Sequence, residues 1–179
     1  WFSPPQSIYN KISIIEGDLL NFESLDSIPE DIDAAYYLVH SMSHHDNYFE
    51  LENLCALNFR KQLKKTNVKH LIYLGGIVNE NILSEHLNSR KNVEIELAKG
   101  DYALTCLRAG IIIGSGSASF EIMRDLVEKL PIMITPKWLM TKCQPICISD
   151  VILILGRTLF HEKTYNQMDG YGAKEDASA

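Results

Sequence analysis

The sequence contains no apolar run close to the roughly 20 residues that a helix needs to cross a bilayer. Its first residues, Trp1-Phe2-Ser3-Pro4-Pro5, have neither the basic segment nor the apolar core of a secretory signal. Lysines and arginines are scattered over an acidic chain of net charge −6, so no basic stripe is present to bind a phosphate backbone. These absences predict a cytoplasmic protein that neither spans a membrane nor binds nucleic acid.

Cysteine is also scarce, and no CxxC pair occurs. The four cysteines, Cys55, Cys106, Cys143 and Cys147, fall inside apolar segments. Cys143 and Cys147 would share one face of a strand, but no clustered histidine accompanies them. Buried thiols are therefore favoured, and no metal site is predicted.

What is present is an alternation of short apolar strands with amphipathic helices, which is typical of a parallel sheet covered by helices on both faces. Strands are predicted at residues 12–16, 34–40, 70–74, 103–113 and 143–148, and helices at 48–66, 84–99, 151–160 and between the Gly-Ser loop and residue 129. The predicted fold is α/β, a Rossmann-like doubly wound parallel sheet in residues 1–160. The segment 169–179 is polar and rich in small residues, and residues 161–179 are predicted to form a disordered tail.

Four short motifs carry a resemblance to a known family. They are Glu16-Gly17-Asp18-Leu19, Tyr37-Leu38-Val39-His40-Ser41, Ile72-Tyr73-Leu74-Gly75-Gly76 and the run from Leu107-Arg108-Ala109-Gly110 to Gly114-Ser115-Gly116. In this order and spacing they resemble the extended and atypical short-chain dehydrogenase/reductases. The nearest likeness is to the NmrA-like, NAD(P)H-binding branch often labelled nucleoside-diphosphate-sugar epimerase-like, and it covers residues 11–159. It implies an NAD(P) cofactor and a small-molecule substrate of unknown identity.

One element of that family is missing from this sequence. The turn GxxGxxG, which holds the dinucleotide pyrophosphate at a helix N-terminus, does not occur. The chain also starts without methionine, in a proline-rich segment. We therefore expect a fragment that lacks the first βαβ unit, with this glycine-rich turn lying upstream of Trp1 in the intact protein.

The resemblance implies several cofactor contacts. Asp18 would accept a hydrogen bond from the adenine amino group, with Leu19 against the ring. The alternative role for Asp18 is to cap the turn that follows it.

Three further stretches complete the cofactor set that the resemblance implies. They are Val39, His40 and Ser41 beneath the ribose and phosphates, Gly75 and Gly76 where the nicotinamide ring approaches the backbone, and Ala109, Gly110 and Ile111 against that ring. His40 could equally be a satisfied histidine at the end of a strand.

The catalytic residues of the family are replaced. Relatives that transfer hydride use a Ser or Thr after the third of these strands and a Tyr-x-x-x-Lys pair, in which the lysine lowers the pKa of the tyrosine. This chain has glycines after that strand, and the corresponding helical pair is His86 and Arg90. The charge of Arg90 would favour the neutral imidazole of His86, a poor general acid near pH 7. The alternative is that both residues simply face solvent.

A Gly-Ser loop joins a strand to a helix start and offers a possible anion site. Gly114, Ser115, Gly116 and Ser117 combine tight turns, hydroxyl donors and unpaired helix N–H groups. Arg108, Arg124 and Lys129 are the cations nearest in sequence that could support it. The alternative is a serine-capped helix start after a glycine turn.

Three functions therefore remain open. The first is an NAD(P)-dependent oxidoreductase or epimerase-like enzyme with a non-standard or lost catalytic set. The second is a non-catalytic NAD(P)H-binding sensor or assembly subunit, and the third is a phosphate-ligand-binding protein that uses the Gly-Ser loop.

Overall fold

The computed structural model describes residues 11–39, 48–76, 85–114, 121, 124–125, 128–129 and 145–171. Within them the chain forms six strands, namely β1 Ala34–Tyr37, β2 His70–Gly76, β3 Ala103–Ala109, β4 Ile112–Ile113, β5 Ile146–Cys147 and β6 Met168–Tyr171. Three α-helices lie between them, namely α1 Tyr48–Leu63, α2 Glu85–Leu97 and α3 Ile148–Thr158. Of these described helices, none has the length and apolar character that crossing a bilayer requires.

Four strands form the main sheet in the order β1-β2-β3-β6, and every neighbouring pair is parallel. β2 and β3 pair along their whole length, from His70 beside Ala103 to Gly76 beside Ala109. β4 and β5 form a separate parallel pair. Parallel strands linked through helices are the arrangement that the apolar alternation predicts, so the predicted fold class is confirmed.

The hydrophobic core fills the face of the sheet that α1 and α2 cover. Leu71 and Tyr73 of β2 alternate with residues of the other face, as a pleated strand requires. The buried apolar residues of this core are Tyr37, Ala56, Leu63, Val68, Leu71, Tyr73, Val93, Leu97, Leu104 and Cys106. α1 begins with acidic Glu50 in its first turn and ends with Arg60 and Lys61, which complements the helix dipole.

The opposite face holds a polar centre at His70, which is fully buried. The hydroxyl of Thr105 donates to the carbonyl of Thr164 at 2.7 Å, so its oxygen accepts the Nε2–H of His70 at 2.9 Å. The N–H of Phe160 donates to Nδ1 of His70 at 3.1 Å. These bonds select the neutral Nε2–H imidazole and fasten the segment after α3 to the sheet.

Residues 12–16 differ from the sequence prediction. They form no strand and lie exposed, with 91% of Ile14 accessible to solvent. The prediction of a strand there was wrong, because apolar residues form a strand only where another strand supplies hydrogen-bond partners.

The remaining predicted elements are present with shifted ends. β1 stops at Tyr37, before residue 40, and β2 continues to Gly76. The predicted strand 103–113 divides at Gly110 into β3 and β4. In the described part of the strand predicted at 143–148, β5 covers Ile146–Cys147, and α3 begins three residues before the predicted start. Residues 141–144 and most of the helix predicted before residue 129 lie outside the described residues.

Residues 161–171, expected to belong to a disordered tail, are instead ordered. They include a 3₁₀ helix, Glu162–Thr164, and β6, which pairs with β3 along the edge of the main sheet. The N–H of Asn166 donates to the carbonyl of Leu104 at 2.7 Å. Backbone hydrogen bonds to an open strand edge do not depend on apolar side chains, which explains why composition misled the prediction. Residues 172–179 lie outside the described part.

Candidate functional site

The carboxyl ends of parallel strands bring several predicted residues to one edge of the sheet. In the β2–β3 register Gly75 lies beside Arg108, and Gly76 lies beside Ala109. Gly110 and Ile111 follow directly, and exposed Val39 comes two residues after β1. The structure therefore brings these residues together at one edge of the sheet. Ligands of open α/β sheets bind outside this edge.

Arg90 of α2 reaches the same edge. A Cβ added to Gly76 would overlap the Arg90 guanidinium, so the two residues are in direct contact. A Cβ at Gly75 would lie 3.1 Å from the ring of Tyr73. In the described structure, protein side chains occupy the space above both glycines, where the sequence prediction placed the nicotinamide ring.

A buried ion pair lies next to this contact. Arg108 at the end of β3 donates through Nη2 to both carboxylate oxygens of Glu94, at 2.9 and 3.0 Å, and through Nε at 3.3 Å. The side chain of Glu94 is only 6% exposed. This pair ties α2 to β3 and holds the carboxyl edge in shape. Sequence reasoning missed Glu94, although its i+4 spacing from Arg90 places the two on one helix face.

The three cations expected to support the Gly-Ser loop each have an acidic partner. Arg108 binds Glu94, as described above. Arg124 pairs with Glu121 and Asp125, and Lys129 also pairs with Asp125 at 2.5 Å. Their charge is therefore already compensated, and the support predicted for an anion at that loop is reduced.

Tyrosine hydroxyls near the edge are buried. Burial raises the pKa of Tyr73 well above its ordinary value, and the nearby Arg90 charge only partly opposes this rise. Burial also raises the pKa of Tyr37, whose ring packs against Phe59 with centroids 5.1 Å apart. Both phenols stay protonated at neutral pH and are not readily ionised groups.

The turn at Asp18 packs on the middle of α1. The carboxylate oxygen Oδ1 of Asp18 accepts the N–H of Leu20 at 2.9 Å, which is the capping bond of the alternative interpretation. The buried amide of Asn58 donates to the carbonyl of Leu19 at 2.8 Å, and Leu19 packs against the core. No hydrogen bond or ion pair joins this turn to the Gly76–Arg90 contact among the described residues.

Several predicted residues cannot be placed. His40, Ser41, Ser115, Gly116 and Ser117 lie outside the described residues. His86 lies in α2, but its side chain is outside the part of the chain that the structure describes.

Gly114 can be placed, and it shows close packing. A Cβ there would lie 2.5 Å from Cγ2 of Ile148 at the start of α3. The end of β4 therefore packs tightly on the N-terminus of α3.

The described cysteines differ in burial. Cys106 is buried, and burial raises its pKa to about 12. Cys55 is half-buried and Cys147 is exposed, contrary to the expectation of buried thiols, while Cys143 lies outside the described residues. The residues described here contain no group of three or more His, Cys, Asp or Glu side chains placed to hold a metal ion.

Comparisons with known proteins define the fold further. No family model matches the chain, and no curated protein matches it either. Among solved structures, the chain is similar to UDP-glucuronic acid 4-epimerase from Bacillus cereus in complex with UDP-glucuronic acid and NAD, with a TM-score of 0.67 and 18% identity over 88% of this chain. An epimerase from Methanothermobacter thermautotrophicus has a TM-score of 0.75 at 13% identity over 93% of this chain.

A nucleoside-diphosphate-sugar epimerase from Staphylococcus aureus is similar as well, with a TM-score of 0.72 at 15% identity over 96% of this chain. The chain spans 59%, 60% and 58% of the length of these three structures, in the order given. At this identity the likeness shows a shared Rossmann-like fold.

Proposed function

We propose that this chain forms part of the NAD(P)-binding domain of an epimerase-like protein of the short-chain dehydrogenase/reductase superfamily. The observation that carries the proposal is the grouping of Gly75, Gly76, Ala109 and Arg90 at the carboxyl edge of a parallel sheet. Structures with the same fold include epimerases crystallised with NAD. Ligands of this fold class bind at that edge.

The residues present fit a dinucleotide in part. Val39 is exposed beside the edge, and the backbone at Gly110 is open to solvent. We assign Val39, His40 and Ser41 to the ribose and phosphates, Ala109, Gly110 and Ile111 to the nicotinamide side, and Asp18 and Leu19 to the adenine. Gly75 and Gly76 belong to the nicotinamide side of the same edge, but Tyr73 and Arg90 cover them, so these two side chains would border the ring. The bound cofactor would supply the hydride acceptor, and the protein would supply orientation.

The catalytic set at this edge is non-standard. No hydroxyl side chain is present at Gly75 or Gly76, and Arg90 occupies the helical position where relatives have lysine. Arginine holds a fixed positive charge that can bind an oxyanion but cannot deliver a proton. His86 is the remaining candidate acid, so we propose either an altered enzyme or a protein whose catalysis is lost.

The substrate class follows from the same likeness. The Bacillus cereus epimerase holds a UDP-sugar, and we propose a nucleoside-diphosphate sugar or a related phosphorylated compound here. The loop of Gly114, Ser115, Gly116 and Ser117 is the candidate substrate contact, because its first residue, Gly114, packs on Ile148 at the N-terminus of α3. The second candidate function, an NAD(P)H sensor, is favoured by the absence of a hydroxyl at Gly75 and Gly76.

Calorimetry with NADH, NADPH and ADP-ribose tests the binding proposal. Because the sequence contains no GxxGxxG turn to hold the pyrophosphate, we expect weak binding, with a Kd of about 1 mM, equivalent to about −4 kcal/mol. NADH and ADP-ribose should compete for one site. If neither binds at concentrations of about 10 mM, the assignment of a dinucleotide site to this chain is rejected.

The adenine assignment is tested by Asp18→Ala. Loss of a hydrogen bond to a charged acceptor should weaken ADP-ribose binding by about 1–3 kcal/mol. Asp31→Ala is the control, since Asp31 is also exposed and lies 13 residues further along the chain, outside the predicted adenine contact. If Asp18→Ala lowers the melting temperature and leaves affinity unchanged, Asp18 acts only as a cap for Leu20.

Turnover separates the enzyme from the sensor. An altered enzyme should exchange hydride with NDP-sugars or carbonyl compounds in the presence of NAD(P), and His86→Ala should abolish this. A sensor should bind the dinucleotide without turnover across the same panel.

A further inference from the structure

The guanidinium of Arg90 differs from those of the other arginines in being half-buried without a carboxylate partner among the described residues. The sequence contains five arginines, Arg60, Arg90, Arg108, Arg124 and Arg157. Arg60, Arg108 and Arg124 each pair with a carboxylate, and Arg157 is exposed to solvent. Arg90 is half-buried, yet among the described residues no hydrogen bond or ion pair satisfies its guanidinium. A partly desolvated charge normally has a partner.

Gly76 makes room for this unpaired charge. The atoms of Arg90 nearest to a Cβ at Gly76 are Nη1, Cζ at 3.1 Å and Cδ at 3.3 Å, so the guanidinium fills the space that a side chain at position 76 would take. Any other residue at position 76 would displace it. The glycine therefore determines where the charge lies.

Among the residues that the structure describes, no nearby acidic group binds Arg90. Glu94, four residues along α2, is engaged by Arg108 through both of its oxygens. Tyr73, close enough for the Arg90 charge to affect it, is a neutral phenol. Within the described part of the chain, the donors of Arg90 thus remain available at the carboxyl edge of the sheet.

We propose that Arg90, held over Gly76, binds a phosphate oxyanion of the ligand. This inference rests on the proposed function, because it adds a ligand group at the same edge. Planar guanidinium groups recognise phosphate oxygens through paired N–H donors, which a lysine cannot reproduce. The phosphate belongs either to the dinucleotide or to a nucleoside-diphosphate substrate, and Gly76 is the specificity-determining residue that admits the guanidinium.

The test uses inorganic pyrophosphate as a probe of the shared chemistry, with affinity measured by calorimetry and contact by the NMR shift of the Arg90 Nε–H group. We expect Arg90→Gln to weaken pyrophosphate binding by about tenfold or more, and Arg90→Lys to restore only part of the loss. Gly76→Ala should weaken it by a similar factor. The double variant should lose no more than either single variant, because both act through one guanidinium.

Matched controls lie side by side on α3. Arg157→Gln removes an exposed arginine charge, and Gly156→Ala adds a methyl group in open space. Neither should change pyrophosphate affinity. If Arg157→Gln and Gly156→Ala weaken pyrophosphate binding as much as the Arg90 and Gly76 variants do, the binding is non-specific, and the proposed phosphate site at Arg90 is rejected.

Folding is checked separately. Gly76→Ala should change the melting temperature little, because the flexible end of the Arg90 side chain can move away from the new methyl group. A large fall in the melting temperature would mean that any loss of affinity in this variant reflects unfolding, and the contribution of Gly76 to the phosphate site would be rejected.

The outcomes distinguish this inference from the proposed function. ADP-ribose and UDP-glucose identify which phosphate is bound, according to which of them loses affinity in Arg90→Gln. If NADH, ADP-ribose and pyrophosphate each bind equally well to wild type and Arg90→Gln, the dinucleotide site is supported, but phosphate binding by Arg90 is rejected. If pyrophosphate binds through Arg90 while no nucleotide binds, phosphate binding by Arg90 is supported, but the proposed NAD(P)-binding function is rejected.

Discussion

Arg60 and Arg90 lie towards opposite ends of the same helix pair, and their surroundings differ. At the amino end of the sheet, Arg60 donates through Nε and Nη2 to one oxygen of Glu96, at 3.1 and 2.9 Å. Lys99 binds the other oxygen of Glu96. At the carboxyl end, Arg90 contacts a glycine and has no such partner among the described residues. One end satisfies its charges internally, whereas the other leaves a charge for a ligand.

The amino end shows why a cleft with cations need not be a site. A cleft of about 170 Å³ is lined there by Arg60, Lys64, Lys99 and Asp101, among others. The buried carboxylate of Glu96, the nearby Asp101 and two helix C-termini offset the three positive charges. Because its positive charges are balanced within the protein, we interpret the cleft at the amino end as structural and not as an anion-binding site.

The largest expected effect comes from breaking the network at the amino end. Glu96→Gln removes the shared carboxylate, of which 7% is exposed, and leaves Arg60 partly buried without a counter-charge. We expect the free energy of unfolding to fall by about 2–3 kcal/mol. Arg90→Gln should change it by less than about 0.5 kcal/mol.

Urea denaturation followed by circular dichroism measures both changes. Equal destabilisation by the two variants would contradict the contrast between the two ends and would make Arg90 a structural residue.

A second prediction concerns Gly114 and Gly156, which contrast close packing with open space. Gly114→Ala places a methyl group against Ile148 and should destabilise the fold by about 1–3 kcal/mol. Gly156→Ala has nothing within 4 Å and lies in a helix, so it should stabilise by about 0.5–1 kcal/mol. Opposite shifts in melting temperature are expected. A neutral Gly114→Ala would show that the β4 end does not pack on α3 as described.

His70 and Glu96, two buried groups near the amino end, should affect stability in different pH ranges. Burial lowers the pKa of His70 below its ordinary value of 6.5, so the unfolded chain takes up this proton first as the pH falls. The stability from neutral His70 is fully present above about pH 6.5 and is lost as the pH falls below it. Melting temperatures between pH 8 and 5 should decline in the wild type and less in His70→Gln. A wild-type profile without decline would mean that the imidazole is not held neutral.

A smaller effect is expected from Glu96 at lower pH. Burial opposes its ionisation, but the hydrogen bonds from Lys99 and Arg60 outweigh burial and hold the pKa of Glu96 below its ordinary 4.5. Its contribution is present above about pH 4.5 and is lost as the pH falls through the lowered value. The stability difference between wild type and Glu96→Gln should therefore shrink below pH 4.5. A constant difference would indicate packing rather than charge.

The sequence could predict the positions of some site residues but not the side-chain pairings of others. The placement of Gly75, Gly76, Ala109 and Gly110 at one edge was predictable, because residues that end parallel strands meet there. The pairing of Arg108 with Glu94 was not, because it joins a strand to a helix through side-chain directions that spacing alone does not specify. The anion support expected from Arg108 was lost for the same reason.

The sequence by itself determined the α/β class, because apolar strands buried on both faces alternate with helices that have one apolar stripe. It also determined which residues end the strands, and therefore which ones gather at the carboxyl edge. Only the tertiary structure decided that residues 12–16 form no strand and that Met168–Tyr171 does, since a strand needs a partner edge and not merely apolar residues. Only it decided that, among the described residues, Arg60 has a carboxylate partner and Arg90 has none, because the folded path of the chain determines which charges meet.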